Sequence, residues 1–376
     1  MSEILIICDD FRIGGIQRIA LDQAYKLNEM GITAKILILG PQPSVDSPSF
    51  MFTEKDLIAD LGVSIEFLSG NRIYQGIRIR RILRQEKVRM AICYSLRATV
   101  LIFFSRILNR QNTKTVTTIE QLLSMSAPIQ RIRRIFYSQF SDLLFSYSTA
   151  VMNDWNFRRK NNIFIRLLSC RRKISLCRNG VYLPRLKLDN NLFSGSAESL
   201  RRFVFVNRLT AWKGLPTVLQ LLNNPNYEHI NLLLVTPTDP TQYLNNLDGK
   251  TLARVETEIG KSISQVSFYP GDLHIYPANY GKSSKFIEGI SINVLEMACL
   301  GVRSLITKDG ADTWPELVRI GMVIDTDWSD LEDVEAKISS NSQSASIETI
   351  LLAREIIDVS ANLALIFNQA NLKGAG

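Results

Sequence analysis

A chain of 376 residues exceeds what one ordinary hydrophobic core encloses, and its 46% hydrophobic and 21% charged residues exclude disordered and fibrous classes. The five cysteines, Cys8, Cys93, Cys170, Cys177 and Cys299, are odd in number and scattered mostly through apolar runs, which argues against a disulfide framework and for buried thiols in a reducing compartment. The net charge of +8 hides an asymmetry: residues 1–180 carry 27 Lys+Arg against 14 Asp+Glu, and the remainder 17 against 22, so the first half has reason to meet something anionic.

Met1-Ser-Glu carries no basic segment and the apolar run behind it ends at Asp9, so no leader is expected. Ile4 to Cys8 reads as a strand, Asp9 to Gly15 as a glycine turn, and Ile16 to Met30 as a helix, the opening of a doubly wound sheet. Gly14 and Gly15 would let backbone approach a ligand and present N–H groups to an anion, although any tight turn would use them. A strand follows between Gly31 and Leu39, then a Pro/Ser-rich loop from Pro41 to Ser49. Strand and helix patterns alternate through Val63–Leu68, Ile77–Arg84, Arg89–Tyr94 and Thr115–Thr118, which predicts a mainly parallel sheet covered on both faces. The apolar run Ala98 to Phe104 is far too short to span a bilayer, so a cytoplasmic protein is expected.

Two segments concentrate the positive charge. Arg72 to Arg89 is the first; Pro128 to Ser148 is the second, with Arg131, Arg133 and Arg134 beside Ile129, Ile132, Ile135, Phe136, Tyr137 and Phe140 at helical spacing. Two readings of the second stand: a helix lying on an anionic membrane surface, or a core-packed helix with a solvated basic face. No nucleic-acid-binding motif accompanies the charge, so nucleic acid is not an expected partner.

Asn179-Gly180 is a turn signal, and Pro184 to Ser199 has the polar composition of a linker. A strand from Phe203 to Val206 leads into Asn207-Arg-Leu-Thr-Ala-Trp-Lys-Gly214, where Arg208 and Lys213 are either two solvated cations or an anion site. Strands are predicted at Asn231–Pro237 and Leu273–Pro277; His274 inside the second reads as structural and His229 as a solvated loop residue. Glu288 and Glu296 flank a loop entering a helix with Ser291 at its N-cap. That helix is apolar around most of its circumference, so buried Glu296 demands a partner: a neighbouring loop, an arginine, or the hydroxyls of a ligand. Strands at Val302–Thr307 and Met322–Ile324 and a helical tail from Ile347 to Asn371 close the chain. Asp325-Thr-Asp327 lies behind a late strand and is not read as a metal motif, and no His/Cys cluster suggests a metal.

The run from Glu288 to Glu296 resembles the Glu-x7-Glu signature of retaining glycosyltransferases of the GT-B fold, in particular the large group of bacterial lipopolysaccharide and capsule transferases. Three further landmarks in order resemble the same family: Gly14-Gly15 with Arg18, Lys173 to Val181 with Asn179-Gly180, and Asn207-Arg-Leu followed by Lys213-Gly214. The resemblance implies an α/β fold of two Rossmann-like domains facing across a central cleft. Residues 1–183 would form the acceptor side, 184–199 the linker and 200–346 the donor domain, with a C-terminal helix in 347–376 packing back on the first domain. It implies retaining transfer of a hexose from a UDP- or GDP-linked donor to a glycan or lipid-linked acceptor in surface polysaccharide biosynthesis, with no cofactor and no metal, at the inner membrane face. By the same resemblance Glu288 lies near the donor sugar and Glu296 on the ribose, with Gly289, Ile290 and Ser291 lining the donor between them. Arg208 and Lys213 would hold the diphosphate, and Gly14 and Gly15 would face the donor. The family's histidine after the Thr115–Thr118 strand is absent; Ile119-Glu120 stands there, leaving Glu120 as a substitute. Two alternatives share the fold: a sugar-nucleotide epimerase and a noncatalytic nucleotide-sugar-binding protein.

Overall fold

The computed structural model describes residues 3–10, 15–41, 62–119, 126, 128–161, 174–187, 199–210, 213–278, 291–341 and 344–371. They form two compact units.

The first unit takes the described residues up to Tyr182 and those from Val359 onward. Its strands are β1 (Ile4–Cys8), β2 (Ala34–Ile38), β3 (Ser64–Phe67), β4 (Met90–Cys93), β5 (Lys114–Thr118), β6 (Leu143–Ser146) and β7 (Ile174–Leu176), in the order β3-β2-β1-β4-β5-β6-β7. Every pairing is parallel. The chain winds outward from β1 to β3 and then crosses back to β4, so the winding reverses between β1 and β4. β1 is buried along its whole length, as a central strand covered on both faces must be.

Helices α1 (Gly15–Glu29), α2 (Arg72–Glu86), α3 (Leu96–Asn109), α4 (Pro128–Ser138) and α5 (Thr149–Asn161) supply the connections. Capping sets two of their starts: Asn71 accepts from the Tyr74 N–H before α2, and Ser95 from the Ala98 N–H before α3. The helical pattern read from Pro128 to Ser148 is shorter in the structure. It ends at Ser138 because Phe140 turns back onto Phe103 and Phe136, and Asp142 accepts the Thr115 N–H and pairs with Arg106, steering the chain into β6.

The second unit holds β8 (Arg202–Val206), β9 (Asn231–Thr236), β10 (Val255–Ile259), β11 (Asp272–Tyr276), β12 (Arg303–Thr307) and β13 (Val323–Thr326), ordered β10-β9-β8-β11-β12-β13 and again all parallel. Its helices are α6 (Leu215–Leu222), α7 (Thr241–Leu244), α8 (Gly249–Leu252), α9 (Ile292–Cys299), α10 (Lys308–Ala311), α11 (Pro315–Arg319), α12 (Leu331–Ser340) and α13 (Ile347–Ile357). Phe203, Phe205, Leu232, Leu234, Ile275 and Leu305 centre its core. Here the winding reverses between β8 and β11, and a buried bidentate pair from Arg202 to Asp272 clamps those two strands at their amino ends.

The tail is two helices, not one. α13 stops where Asp358 turns extended, and α14 (Val359–Ala370) packs on α1 in the first unit. Asn362 fixes it there, accepting from Gln23 and donating to the Arg178 carbonyl.

Candidate functional site

In a doubly wound sheet, ligands sit beyond the carboxyl ends of the strands where the winding reverses. In the second unit that point is the end of β8 beside the end of β11. The chain leaves β8 at Val206 and presents Asn207, Arg208, Leu209 and Thr210 in turn, with Lys213 and Gly214 completing the loop into α6. Arg208 is exposed. Lys213 is only 4% exposed; its Nζ donates to the Tyr276 hydroxyl at 2.7 Å and lies 5.1 Å from the centre of that ring. Tyr276 is the last residue of β11, so the two switch-point strands are joined at their carboxyl ends by this bond.

Gly214 explains why the loop can lie so close. A side chain there would put Cβ 2.3 Å from the Pro277 carbonyl oxygen, and the residue has φ +82°, so only glycine fits the crossing of the two loops. Asn293, in the first turn of α9, donates to the Val206 carbonyl at 2.6 Å and fastens the start of that helix to the end of β8. Two buried polar atoms at this edge lack a partner among the described residues: Asn207 Nδ2 and Thr210 Oγ1. A buried amide N–H left unbonded costs about 1–3 kcal/mol.

Ser291 occupies the N-cap position of α9, but its side chain makes no capping bond. Glu296 lies one turn further into that helix and is fully buried, paired at 2.5 Å with Arg185, itself 7% exposed. Of the partners the sequence allowed, the structure supplies the arginine. Arg185 comes from the Leu183–Arg185 turn at the start of the stretch read as a linker, and Leu186 beside it is buried, so the beginning of that stretch is fixed. Glu288, Gly289, Ile290, Gly14 and Glu120 lie outside the described residues. Gly15 is exposed at the first position of α1.

His274 sits in mid-strand, its Nδ1 2.9 Å from Ser304 Oγ, and burial pushes its pKa down to about 3, so the ring is neutral and takes no part at the strand ends. Among the described residues no three His, Cys, Asp or Glu side chains stand together as a metal set would require, and no helix is long and apolar enough to cross a membrane.

The first unit carries its own feature at the equivalent place. A cavity of about 610 Å³ opens at the carboxyl ends of β1, β4 and β5, walled by Asp9, Asp10, Tyr94, Ser95 and Thr118, with Arg72, Arg97, Arg133 and Arg134 reaching it from α2, α3 and α4. Beneath it a buried hydrogen-bonded chain runs from Tyr147 to Tyr94, Gln23 and Asn362.

No protein-family model and no curated protein sequence matches this chain. Solved structures do. Anabaena HepE in complex with UDP aligns over 99% of this chain and 100% of its own at 14% identity and a TM-score of 0.69. Sucrose-phosphate synthase of Thermosynechococcus elongatus aligns over 100% of both chains at 12% identity and 0.67, and the lipopolysaccharide outer core galactosyltransferase WaaB over 100% of both at 12% and 0.64. The fold is that of the GT-B glycosyltransferases.

Sequence reasoning placed Arg208 and Lys213 on the loop where they stand. It missed Tyr276, Asn293 and Arg185. Tyr276 and Asn293 carried one usable signal, a polar residue at the end of a predicted strand and at the start of a predicted helix, both next to the point of winding reversal. The cavity of the first unit had no linear signature, because its arginines come from three helices.

Proposed function

We propose that the chain is a glycosyltransferase that moves a hexose from a UDP- or GDP-linked donor to a glycan or lipid-linked acceptor, with retention at the anomeric carbon and without a metal, in surface polysaccharide assembly at the cytoplasmic face of a membrane. The observation that carries this reading is the loop after β8. It brings Arg208 and a buried, oriented Lys213 to the winding reversal of the second unit, beside the unsatisfied Asn207 amide. HepE, of the same fold, has been crystallised with UDP and with UDP-glucose.

In this reading the bond between the anomeric carbon and the β-phosphate oxygen breaks while a bond to the acceptor oxygen forms on the same face. The acceptor's proton passes to the departing phosphate. Negative charge gathers on the diphosphate as the bond opens. Arg208 and Lys213 answer it, and a cation fixed in advance by Tyr276 needs no reorganisation to do so. Glu288 is assigned to the donor sugar and Glu296 to the ribose, the latter once its pair with Arg185 is shared with the ligand. By the family resemblance alone, Gly14, Gly15, Gly289, Ile290 and Ser291 are assigned to the donor and Glu120 to the part of an acceptor-side base.

The test is nucleoside diphosphate release from UDP-glucose and GDP-mannose with membrane extract as acceptor source. The anomeric configuration of the product is read by NMR. Release that falls about a hundredfold in Lys213→Ala, with an α-linked product from the α-linked donor, supports the reading. A wild type that binds donor without turning it over favours a noncatalytic binding protein; an epimerised donor without acceptor favours an epimerase.

A further inference from the structure

Asn207 follows directly on the last residue of β8 and is 5% exposed, and its Nδ2 has no partner among the described residues. Thr210 Oγ1, in the same loop, is also buried and unbonded. Two unmet polar atoms so close in the chain mark a place on the loop rather than one ill-fitting side chain.

The orientation of the Asn207 amide follows from a sequence of bonds that each run one way. The Val206 carbonyl can only accept, and Asn293 Nδ2 donates to it at 2.6 Å. The same NH2 group points its other hydrogen at Asn207 Oδ1, 3.4 Å away. With Oδ1 serving as acceptor, Asn207 Nδ2 faces the other way with its N–H groups unbonded. The opposite orientation would set two NH2 groups against each other. A buried amide turned in this way lowers stability in the free protein, and a ligand that supplies an acceptor removes the loss.

The neighbours select the kind of acceptor. Arg208 is the next residue, and Lys213 closes the same loop with its Nζ held by Tyr276. Asn293 stands in the first turn of α9, at the positive end of that helix, where Ser291 provides no side-chain cap. Two cations, a helix start and an oriented N–H are all matched by an oxygen that carries negative charge. A nucleobase edge mixes donors with acceptors and matches them less well.

We propose that Asn207 is a direct ligand of a non-bridging diphosphate oxygen of the donor, and that Asn293 is the positioning residue that turns its N–H groups toward that oxygen. The inference rests on the glycosyltransferase reading and adds a specificity-determining residue to it. Arg208 and Lys213 attract the diphosphate from many directions, whereas an N–H bond is directional, so Asn207 fixes which oxygen lies at the strand end.

The experiment is calorimetric titration of UDP, GDP and inorganic pyrophosphate into the wild type, Asn207→Ala, Asn207→Asp, Asn293→Ala and Asn207→Ala/Asn293→Ala. Lys213→Ala serves as the reference, and a melting temperature for each variant shows that it is folded. Asn207→Ala should bind pyrophosphate and whichever nucleotide binds about tenfold more weakly, by the same factor for both. Asn207→Asp keeps the shape and the acceptor for Asn293 but turns an oxygen toward the anion, so it should bind more weakly still. An amide that only holds the loop together would give the reverse order, and that result overturns the proposal. Loss of nucleotide affinity without loss of pyrophosphate affinity overturns it too, since the amide would then read the nucleoside. Asn293→Ala should weaken binding to the wild type but add less than about twofold in the Asn207→Ala background; additive losses remove the positioning role. If Lys213→Ala weakens nucleotide binding while both Asn207 variants match the wild type, this inference fails and the donor reading stands. If pyrophosphate binds through Asn207 while neither UDP nor GDP binds, the oxyanion ligand stands and the donor reading fails.

Discussion

Glu296 and Arg185 form a pair at the residue scale whose two halves were unequally legible. An apolar helix carrying one carboxylate announces that the carboxylate needs a partner; nothing in the local pattern says that the partner stands far earlier in the chain, inside a polar stretch. Removing Arg185 withdraws a charge-assisted contact from buried Glu296, so Arg185→Met is expected to destabilise the second unit by about 1.5–3 kcal/mol, measured by urea unfolding. A loss below about 1 kcal/mol would mean that the pair holds little. His274 makes a second prediction at this scale. The unfolded chain takes up a proton near pH 6.5, while the folded ring stays neutral down to about 3. Between those values the unfolded state binds more protons, so the contribution is fully present above about pH 6.5 and declines as pH falls, by about 1.4 kcal/mol per unit. His274→Gln should lose that slope between about pH 6.5 and 5; a variant with the wild-type slope would contradict the assignment.

Elements were legible where one physical signal dominated. Most buried strands announced themselves as short apolar runs, but β6 lay inside the stretch read with the helical pattern from Pro128, while α9 began where Ser291 said it would. The edge strand β10 escaped because Glu256 and Glu258 make the run read as a charged loop; charge on an edge strand is a common way to protect a sheet edge. The pattern after Pro128 was carried too far because Phe140 fits a helical face but packs as a turn residue. Gly180 shows how a correct signal can hide its reason. It reads as turn punctuation, yet a Cβ there would stand 2.4 Å from the Val359 Cα, where the chain re-enters the first unit to begin α14. Gly180→Ala should therefore cost about 1–3 kcal/mol and loosen α14 selectively. Hydrogen exchange should show α14 amides losing protection before those of β1, and unchanged protection would argue against this contact. Gly214→Ala should likewise disturb the loop after β8 and weaken nucleotide binding more than it lowers stability, seen by comparing UDP affinity with the melting temperature.

For the whole molecule, the alternation of strand and helix predicted the sheets well, and the charge asymmetry pointed to the unit that carries the arginine cavity. What the sequence could not convey was convergence: Lys213 meeting Tyr276, or Arg72, Arg97 and Arg133 sharing one cavity, arises only when separate elements are brought to the same end of a sheet. The diphosphate of a nucleotide sugar is proposed to bind at the winding reversal of the second unit. Calorimetric titration of UDP and GDP into wild type, Arg208→Ala and Lys213→Ala tests it most directly. One nucleotide should bind the wild type and bind each variant about ten- to a hundredfold more weakly, as loss of a charge-assisted hydrogen bond requires. Binding that is unchanged in both variants, or absent from the wild type for every nucleotide, would contradict it.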